Sequence, residues 1–256
     1  MSFYATLARY YDSEHADKTD DLVLYSEIAD EVTEESGSRI LIVGAGTGRV
    51  MLHLAQEGHT MTGIEAEQNM IERALVKRDA LPHLADQLTF MHGDALKVPL
   101  DQTFKLAIIP YNTLMHFHDQ AVQLKLLKRL RGWVEQGGRL LIDLPNAGEA
   151  YAAPDTESLT LERTFLDTDT GHLVMQQSIS RLDRAEQLMN VTWLYDEIDA
   201  DGIVTRTVIP VVIRYFFLSE MTLLLKLAGF EIDEVYGDFD RVPFGDGMPR
   251  MIILAK

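Results

Sequence analysis

Three glycines and one acidic residue have the types and spacing that bind the sugar of a nucleoside. Gly44, Gly46 and Gly48 alternate directly after the apolar run 40–43. Such a run is typical of a buried strand, and glycines let the chain turn sharply beside a ligand. Glu65 ends the next predicted strand, where a strand-helix-strand unit delivers a carboxylate to a vicinal diol. We therefore predict that the glycine loop and Glu65 hold a ribose.

A second acidic residue follows the third predicted strand, 88–92. Asp94 and Ala95 come directly after Gly93. A ligand-binding role for this aspartate is implied by a family resemblance that the glycine pattern carries. An aspartate after a glycine is also typical of an ordinary turn or a helix cap. Both roles are consistent with the sequence.

The spacing of the glycines distinguishes two classes of cofactor. The dinucleotide fingerprint needs a third small residue at the position of Arg49. The pattern G-x-G-x-G, which ends at Gly48, resembles instead the first motif of the class I S-adenosylmethionine-dependent methyltransferases. That family often carries an acidic residue two positions before the first glycine, where this chain has Ile42. The departure removes one hydrogen bond from the motif without changing the loop.

The resemblance implies S-adenosylmethionine as cofactor, S-adenosylhomocysteine as its product, and a set of binding residues. In that family the acid at the position of Asp94 accepts the exocyclic amine of adenine, and the next amide, here of Ala95, meets a ring nitrogen. A Tyr-Asp pair like the one at Tyr11 folds over the cofactor as a lid; packing of this tyrosine on the domain surface is an equal alternative. The implied set is Tyr11, Gly44, Ala45, Gly46, Gly48, Glu65, Ala66, Asp94, Ala95, Pro110 and Asn112.

His116 is the candidate general base. It lies on the segment 112–117, which leaves the carboxyl end of the predicted strand 104–110. Methyl transfer from a sulfonium chiefly needs alignment, but an alkylamine acceptor must lose a proton before it attacks. The segment also resembles the one that carries a histidine in bacterial amino-sugar N-methyltransferases. A histidine near a helix start often caps or packs, so this structural role is the alternative.

Four long runs of β-type sequence follow the fifth predicted strand. They cover 157–167, 172–183, 188–199 and 203–217, and hairpin-type turns separate them. We expect an inserted antiparallel sheet that covers the mouth of the crevice. Trp193, Tyr195 and Tyr215 from this sheet, with Tyr111 from the core, are the candidate residues that line the acceptor pocket. Most aromatic residues on an alternating strand are simply packed, which is the alternative for each.

Strands and helices alternate strictly before the insertion, which predicts a parallel sheet with helices on both faces. The closing strands 231–236 and 250–255 predict a hairpin with an antiparallel last strand, as in the methyltransferases. We therefore expect an α/β fold with a doubly wound, Rossmann-like seven-stranded sheet, an antiparallel C-terminal hairpin and an antiparallel insertion. The expected division is an N-terminal helical lid segment over 1–36, a cofactor-binding domain over 37–150 and 218–256, and a substrate lid over 151–217.

The composition excludes several classes of protein. The chain has 256 residues, of which 46% are hydrophobic, so it can bury a substantial core. A net charge of -17 would repel a phosphate backbone, so nucleic acid is not an expected partner. The absence of cysteine excludes disulfides and thiolate chemistry. No run is apolar enough for a membrane span, and the N-terminal residues lack the order of a signal peptide, so we expect a cytoplasmic protein.

A metal site is not expected. His116 and His118 lie two positions apart, but no carboxylate cluster of matching spacing accompanies them. We therefore interpret neither histidine as a metal ligand.

The sequence thus predicts an enzyme of the class EC 2.1.1, which moves a methyl group from S-adenosylmethionine to nitrogen or oxygen of a small molecule. One alternative is an NAD(P)-dependent oxidoreductase, which Arg49 and the C-terminal hairpin disfavour. Another is a cofactor-binding module without turnover, which Ile42 slightly favours and which Glu65 and Asp94 disfavour. The sequence leaves open the acceptor and the choice between a monomer and a homodimer.

Overall fold

A seven-stranded sheet forms the centre of the fold in a computed structural model that describes residues 3–33, 38–148 and 158–256. Its strands are β1 (Arg39–Val43), β2 (Thr60–Glu65), β3 (Leu88–His92), β4 (Phe104–Ile109), β5 (Val134–Pro145), β10 (Ile232–Tyr236) and β11 (Arg250–Ala255). They lie in the order β10-β11-β5-β4-β1-β2-β3. Strands β1 to β5 pair in parallel, whereas β11 is antiparallel to both β5 and β10. The predicted doubly wound sheet with an antiparallel closing hairpin is confirmed.

Helices cover both faces of this sheet. The helices are α1 (Phe3–Glu14), α2 (Asp20–Val32), α3 (Arg49–Gln56), α4 (Gln68–Asp79), α5 (Gln120–Trp133) and α6 (Leu218–Ala228), with short 3-10 helices at Pro82–Gln87 and Thr113–His116. Successive side chains of a strand point to opposite faces. Ile40 and Ile42 accordingly pack among residues of α2 and α3, whereas Leu41 and Val43 pack among residues of α5 and α6. Burial on both faces explains the continuous apolar sequence of β1.

A second sheet follows the fifth strand, as predicted. It consists of β6 (Thr160–Leu166), β7 (Leu173–Asp183), β8 (Leu188–Ile198) and β9 (Val204–Arg214), which pair antiparallel in chain order. Helix α1 packs on this sheet through Leu7 and Tyr10, which join Val174, Tyr195 and Ile209 in a small apolar core. The second sheet is thereby attached to the N-terminal helix.

The junction between α5 and β5 differs from the prediction. The sequence predicts a helix to residue 135 and a strand from Arg139, but α5 ends at Trp133 and β5 begins at Val134. Val134 is buried and pairs with Phe104 before the register shifts. Gly138 fits this irregularity because a Cβ there would lie 2.7 Å from the carbonyl oxygen of Lys105. Gly137 and Gly138, which the sequence predicts to break the helix, therefore lie inside β5 beside this register shift.

The predicted division into a lid segment, a cofactor domain and a substrate lid stays a prediction. Its boundaries at 36/37 and 150/151 lie outside the described residues. Among the described ranges, no helix has the length and apolar composition that a membrane span requires.

Candidate active site

The carboxyl ends of the central strands border a cavity of about 660 Å³. Residues after β1, β2, β3 and β4 line one side, and residues of α1 and of the second sheet line the other. The cavity brings together all but one of the predicted site residues. These are Tyr11, Gly44, Ala45, Gly46, Glu65, Ala66, Asp94, Ala95, Pro110, Tyr111, Asn112, His116, Trp193, Tyr195 and Tyr215.

The glycine loop forms the floor of the cavity with backbone that other residues would strain. Gly44 has φ +79°, and a Cβ at this position would lie 2.4 Å from Cγ2 of Thr113. Only glycine fits this turn. Gly46 has φ +56° with no atom within 4 Å of the place where a Cβ would stand. The loop is therefore tight against the protein at Gly44 and open at Gly46.

Gly48 is the predicted site residue that does not line the cavity. It is the N-cap residue of α3, with φ +82°. A Cβ there would approach the ring of Phe90 to 3.0 Å. Backbone conformation and packing explain why glycine occupies this position. Contact between Gly48 and a cofactor stays a prediction.

Glu65 is held rigidly at the end of β2. Its side chain is 8% exposed, Oε2 accepts the amide of Gly46 at 2.8 Å, and Oε1 accepts the amide of Glu67 at 2.9 Å. Burial raises the pKa of Glu65 above its ordinary value, and these backbone donors oppose the shift. A carboxylate oxygen can accept two hydrogen bonds, so each oxygen of Glu65 can also accept one from a diol.

Asp94 makes the turn interaction that the sequence leaves open and also faces the cavity. It lines the cavity, and Oδ1 accepts the amide of Leu96 at 2.8 Å, which is a turn interaction. Lys97 lies 3.2 Å from Oδ2. Partial burial raises the pKa of Asp94, but the Leu96 amide and the Lys97 ammonium outweigh it and hold the pKa below its usual value. Asp94 is therefore a charged acceptor on the cavity wall, and its contact with adenine stays a prediction.

A buried network fixes the loop after β4. Tyr111 and Asn112 adopt the left-handed region, with φ 31° and 66°. The amide of Asn112 donates to the carbonyl of Asp143 at 3.0 Å, and Arg250 donates to Oδ1 of Asn112 at 3.0 Å. Arg250 also pairs with the Asp143 carboxylate, which accepts the hydroxyl of Tyr25 at 2.6 Å. The strained turn is thus held by contacts from β5, β11 and α2.

His116 lies on the cavity wall beside Tyr4, a tyrosine that belongs to none of the predicted site motifs. Its Nε2 is 2.7 Å from the hydroxyl of Tyr4, and the two rings meet edge to face at 5.0 Å. Burial, with a smaller effect of His118, lowers the pKa of His116 to about 4. Burial also raises the pKa of Tyr4. At neutral pH the pair is a neutral imidazole beside a protonated phenol.

His15 is a second cavity histidine, and no motif in the sequence indicates it. Its Nδ1 is 2.9 Å from the carbonyl oxygen of Tyr11. A carbonyl only accepts, so Nδ1 carries the proton and Nε2 carries the lone pair in the neutral ring. Burial lowers the pKa of His15. Its ring meets that of Tyr111 edge to face at 5.5 Å, which places the imidazole beside the loop after β4.

Three polar side chains meet on the opposite wall. Glu14 at the end of α1 is 8% exposed and lines the cavity. It accepts the hydroxyl of Tyr195 at 2.9 Å and the amide of Gln176 at 2.9 Å. Tyr195 therefore presents a ring to the cavity while its hydroxyl is engaged. The other histidine of the segment after β4, His118, lies with its Nε2 2.8 Å from the backbone carbonyl oxygen of Val212, to which it donates a hydrogen bond.

Comparisons with known proteins agree with this fold. Residues 40–138 match the family model described as a methyltransferase domain. The cypemycin N-terminal methyltransferase of a Streptomyces species is 24% identical over 224 residues, which are 86% of this chain and 83% of that protein. The CcbJ methyltransferase of Streptomyces caelestis has a similar structure, with a TM-score of 0.77 at 20% identity over 96% of this chain and 95% of that one. An amino pentose methyltransferase of Micromonospora echinaspora, solved with S-adenosylmethionine, gives a TM-score of 0.69 at 17% identity over 92% and 89%.

Proposed function

We propose, from the premise that this chain is a class I S-adenosylmethionine-dependent methyltransferase, that it methylates nitrogen or oxygen of a small molecule held between α1 and the central sheet. One observation carries the proposal. The glycine loop, Glu65 and Asp94 border the same cavity as the loop after β4. The aromatic side chains of Trp193, Tyr195 and Tyr215 line this cavity too. A donor and an acceptor can therefore be held in contact.

The residues present fit the cofactor. Gly46 leaves open space above the loop, and its amide is already directed toward Glu65. We assign the ribose hydroxyls to Glu65 and the adenine amine to Asp94. S-adenosylmethionine supplies a methyl group on a sulfonium sulfur, which needs no metal or covalent enzyme intermediate to react. The task left to the protein is to align the acceptor and exclude water.

Helix α1 and the second sheet are suited to exclude water because they form one connected wall. Tyr10 stacks on Tyr195 with ring centroids 4.8 Å apart and an angle of 2° between planes. Arg9 pairs with Glu197 at 2.6 Å, which joins the helix to β8. The same helix contacts the core through Asp12, which accepts from Lys77 at 2.8 Å. We propose that this wall is the lid over the acceptor.

Two histidines are candidates to take a proton from a protonated acceptor. The sequence indicates His116, but its Nε2 already meets Tyr4, and a pKa of about 4 makes it a weak base. His15 has its lone pair on Nε2, which has no hydrogen-bond partner among the described residues. We propose His15 as the proton acceptor and His116 with Tyr4 as a positioning pair.

The alternatives have less support. An oxidoreductase is disfavoured because Arg49 is engaged with Asp21 at 2.8 Å at the position where the dinucleotide motif needs a small residue. Ile42 favours a binding module without turnover, whereas the cavity of about 660 Å³ at this site favours an enzyme that holds an acceptor.

Calorimetry and a methyl-acceptance screen test the proposal. S-adenosylhomocysteine should bind with one site per chain, and NAD should not compete with it. A panel of amines, phenols and carboxylates should then include at least one compound that takes a labelled methyl group from S-adenosylmethionine. Preferential binding of NAD would contradict the proposal, and tight cofactor binding without any acceptor would favour the binding module.

A further inference from the structure

We infer that the acceptor is an amine that binds as a cation, with the Glu14 carboxylate as its counter-ion. The inference rests on the proposed function, since it names the class of molecule that the cavity accepts. It also selects nitrogen over oxygen as the methylated atom. Four features of the described residues support it: a buried carboxylate without a cation, neutral hydrogen-bond donors beside it, aromatic walls, and excess negative charge around the cavity.

Three buried carboxylates connect α1 with the second sheet and the turn after β6, and they differ in one respect. Asp167 is 1% exposed and pairs with Arg9 at 3.3 Å. Glu197 is 6% exposed, pairs with Arg9 at 2.6 Å and hydrogen-bonds His172 at 2.8 Å. Glu14 is 8% exposed, and no lysine, arginine or histidine lies within ion-pair distance of it in the described ranges. Glu197 does not line the cavity, whereas Glu14 does. The unmatched carboxylate is therefore the one that a ligand can reach.

Both partners of Glu14 donate hydrogen bonds to it. Tyr195 donates its hydroxyl to one oxygen, and Gln176 donates its amide to the other. Burial and the Glu14 charge raise the pKa of Tyr195, so the phenol stays protonated. Both donors are neutral, and neutral hydrogen bonds leave the net charge of a buried carboxylate uncompensated. A cation in the cavity supplies the missing charge.

One face of α1 carries this carboxylate and two aromatic rings. Tyr4, Leu7, Tyr11 and Glu14 all line the cavity, at helical spacings that place them on one face. Tyr4 and Glu14 are about 15 Å apart along the helix axis at the usual rise per residue. Trp193 adds an aromatic ring from β8. An alkylammonium gains from the faces of such rings, while a neutral alcohol gains much less.

The remaining charges of the cavity also favour a cation. Its acidic lining residues are Glu14, Glu65, Glu67, Asp94 and Glu162, and its lining arginines are Arg49 and Arg163. Arg49 is neutralised by Asp21. Arg163 is exposed, and it donates to the backbone carbonyl of Glu14 at 3.1 Å rather than to the carboxylate. The guanidinium therefore weakens the negative potential at Glu14 without pairing with it.

A matched pair of probes tests the inference without needing turnover. Cyclohexylammonium and cyclohexanol have nearly the same shape and differ in charge. Their dissociation constants should be measured calorimetrically at pH 7.5 on the full chain saturated with S-adenosylhomocysteine. We expect the ammonium to bind at least about ten-fold more tightly, and this preference to fall to about two-fold or less in Glu14→Gln. The glutamine keeps the size of the side chain and an acceptor for Tyr195.

One further variant separates charge from folding. Glu197→Gln weakens another buried link between α1 and the second sheet, and it should keep the ten-fold preference. If Glu14→Gln does not fold, the preference of the wild-type protein for the ammonium still tests the inference. Equal binding of the two probes by the wild-type protein would overturn the inference, as would an unchanged preference in Glu14→Gln. Failure of S-adenosylhomocysteine to bind would instead contradict the proposed function, and the probe preference would then be read on the unliganded chain.

Discussion

Replacement of Glu65 by alanine tests the cofactor site most sharply among single substitutions. The carboxylate ends β2, and its two oxygens are held by the amides of Gly46 and Glu67. The variant removes the proposed acceptor of both ribose hydroxyls. Hydrogen bonds to a charged acceptor contribute about 1.5–3 kcal/mol each, and replacement by water recovers part of this loss. We expect cofactor affinity to fall by about 1–3 kcal/mol, which is roughly a 5- to 150-fold rise in Kd.

The assay is calorimetric titration of S-adenosylhomocysteine into wild-type and Glu65→Ala protein well below their unfolding temperatures. Glu65→Gln is a useful second variant, because its amide NH2 must face one of the two backbone N–H donors that the carboxylate accepts. It should therefore lose affinity although it preserves side-chain volume. Glu57→Ala is the matched control, since Glu57 lies at the end of α3, pairs with His53 and does not line the cavity. A Kd for Glu65→Ala within two-fold of wild type would refute the ribose role.

Three further predictions concern the histidine, the glycine loop and the buried network. The pKa of His116 is lowered to about 4 in the folded chain, so the unfolded chain binds the extra proton between pH 4 and 6.5. Stability should therefore fall by up to about 3 kcal/mol as pH drops through this window, and urea unfolding of His116→Asn should show a shallower fall. Gly44→Ala should lower the unfolding temperature and abolish cofactor binding, because its Cβ meets Thr113, and the double variant with Thr113→Ala should recover part of the stability; equal unfolding temperatures of Gly44→Ala and wild type would contradict this. Arg250→Met should destabilise the fold by about 3–5 kcal/mol in urea unfolding, because it leaves the buried Asp143 carboxylate without its cation; a loss under 1 kcal/mol would contradict the network.

The central sheet was predictable because its signals are local. The apolar run of β1 is buried on both faces, and Gly44 has a positive φ against Thr113. Strand β3 and strand β11 have the predicted ends. Where two rules competed, as at Val134, a long-range pairing with Phe104 overrode the helical pattern. Local periodicity thus predicts elements better than their junctions.

The cavity wall was less predictable because its residues meet only after folding. Glu14 and His15 belong to no motif, and the side chains they meet come from distant parts of the chain. The Asp143–Arg250 pair joins residues 107 positions apart, which no spacing rule connects. The polar partners of Tyr195 likewise come from α1 and β7. The sequence indicates an aromatic acceptor wall, but the ionic character of that wall requires the tertiary structure.

A crystal structure of the chain with S-adenosylhomocysteine tests the central claim most directly. We predict that the ribose hydroxyls contact Glu65, that the adenine amine contacts Asp94, and that the sulfur faces the space between Tyr111 and α1. A cofactor bound elsewhere, or one whose sulfur points away from the wall formed by α1 and the second sheet, would contradict the account.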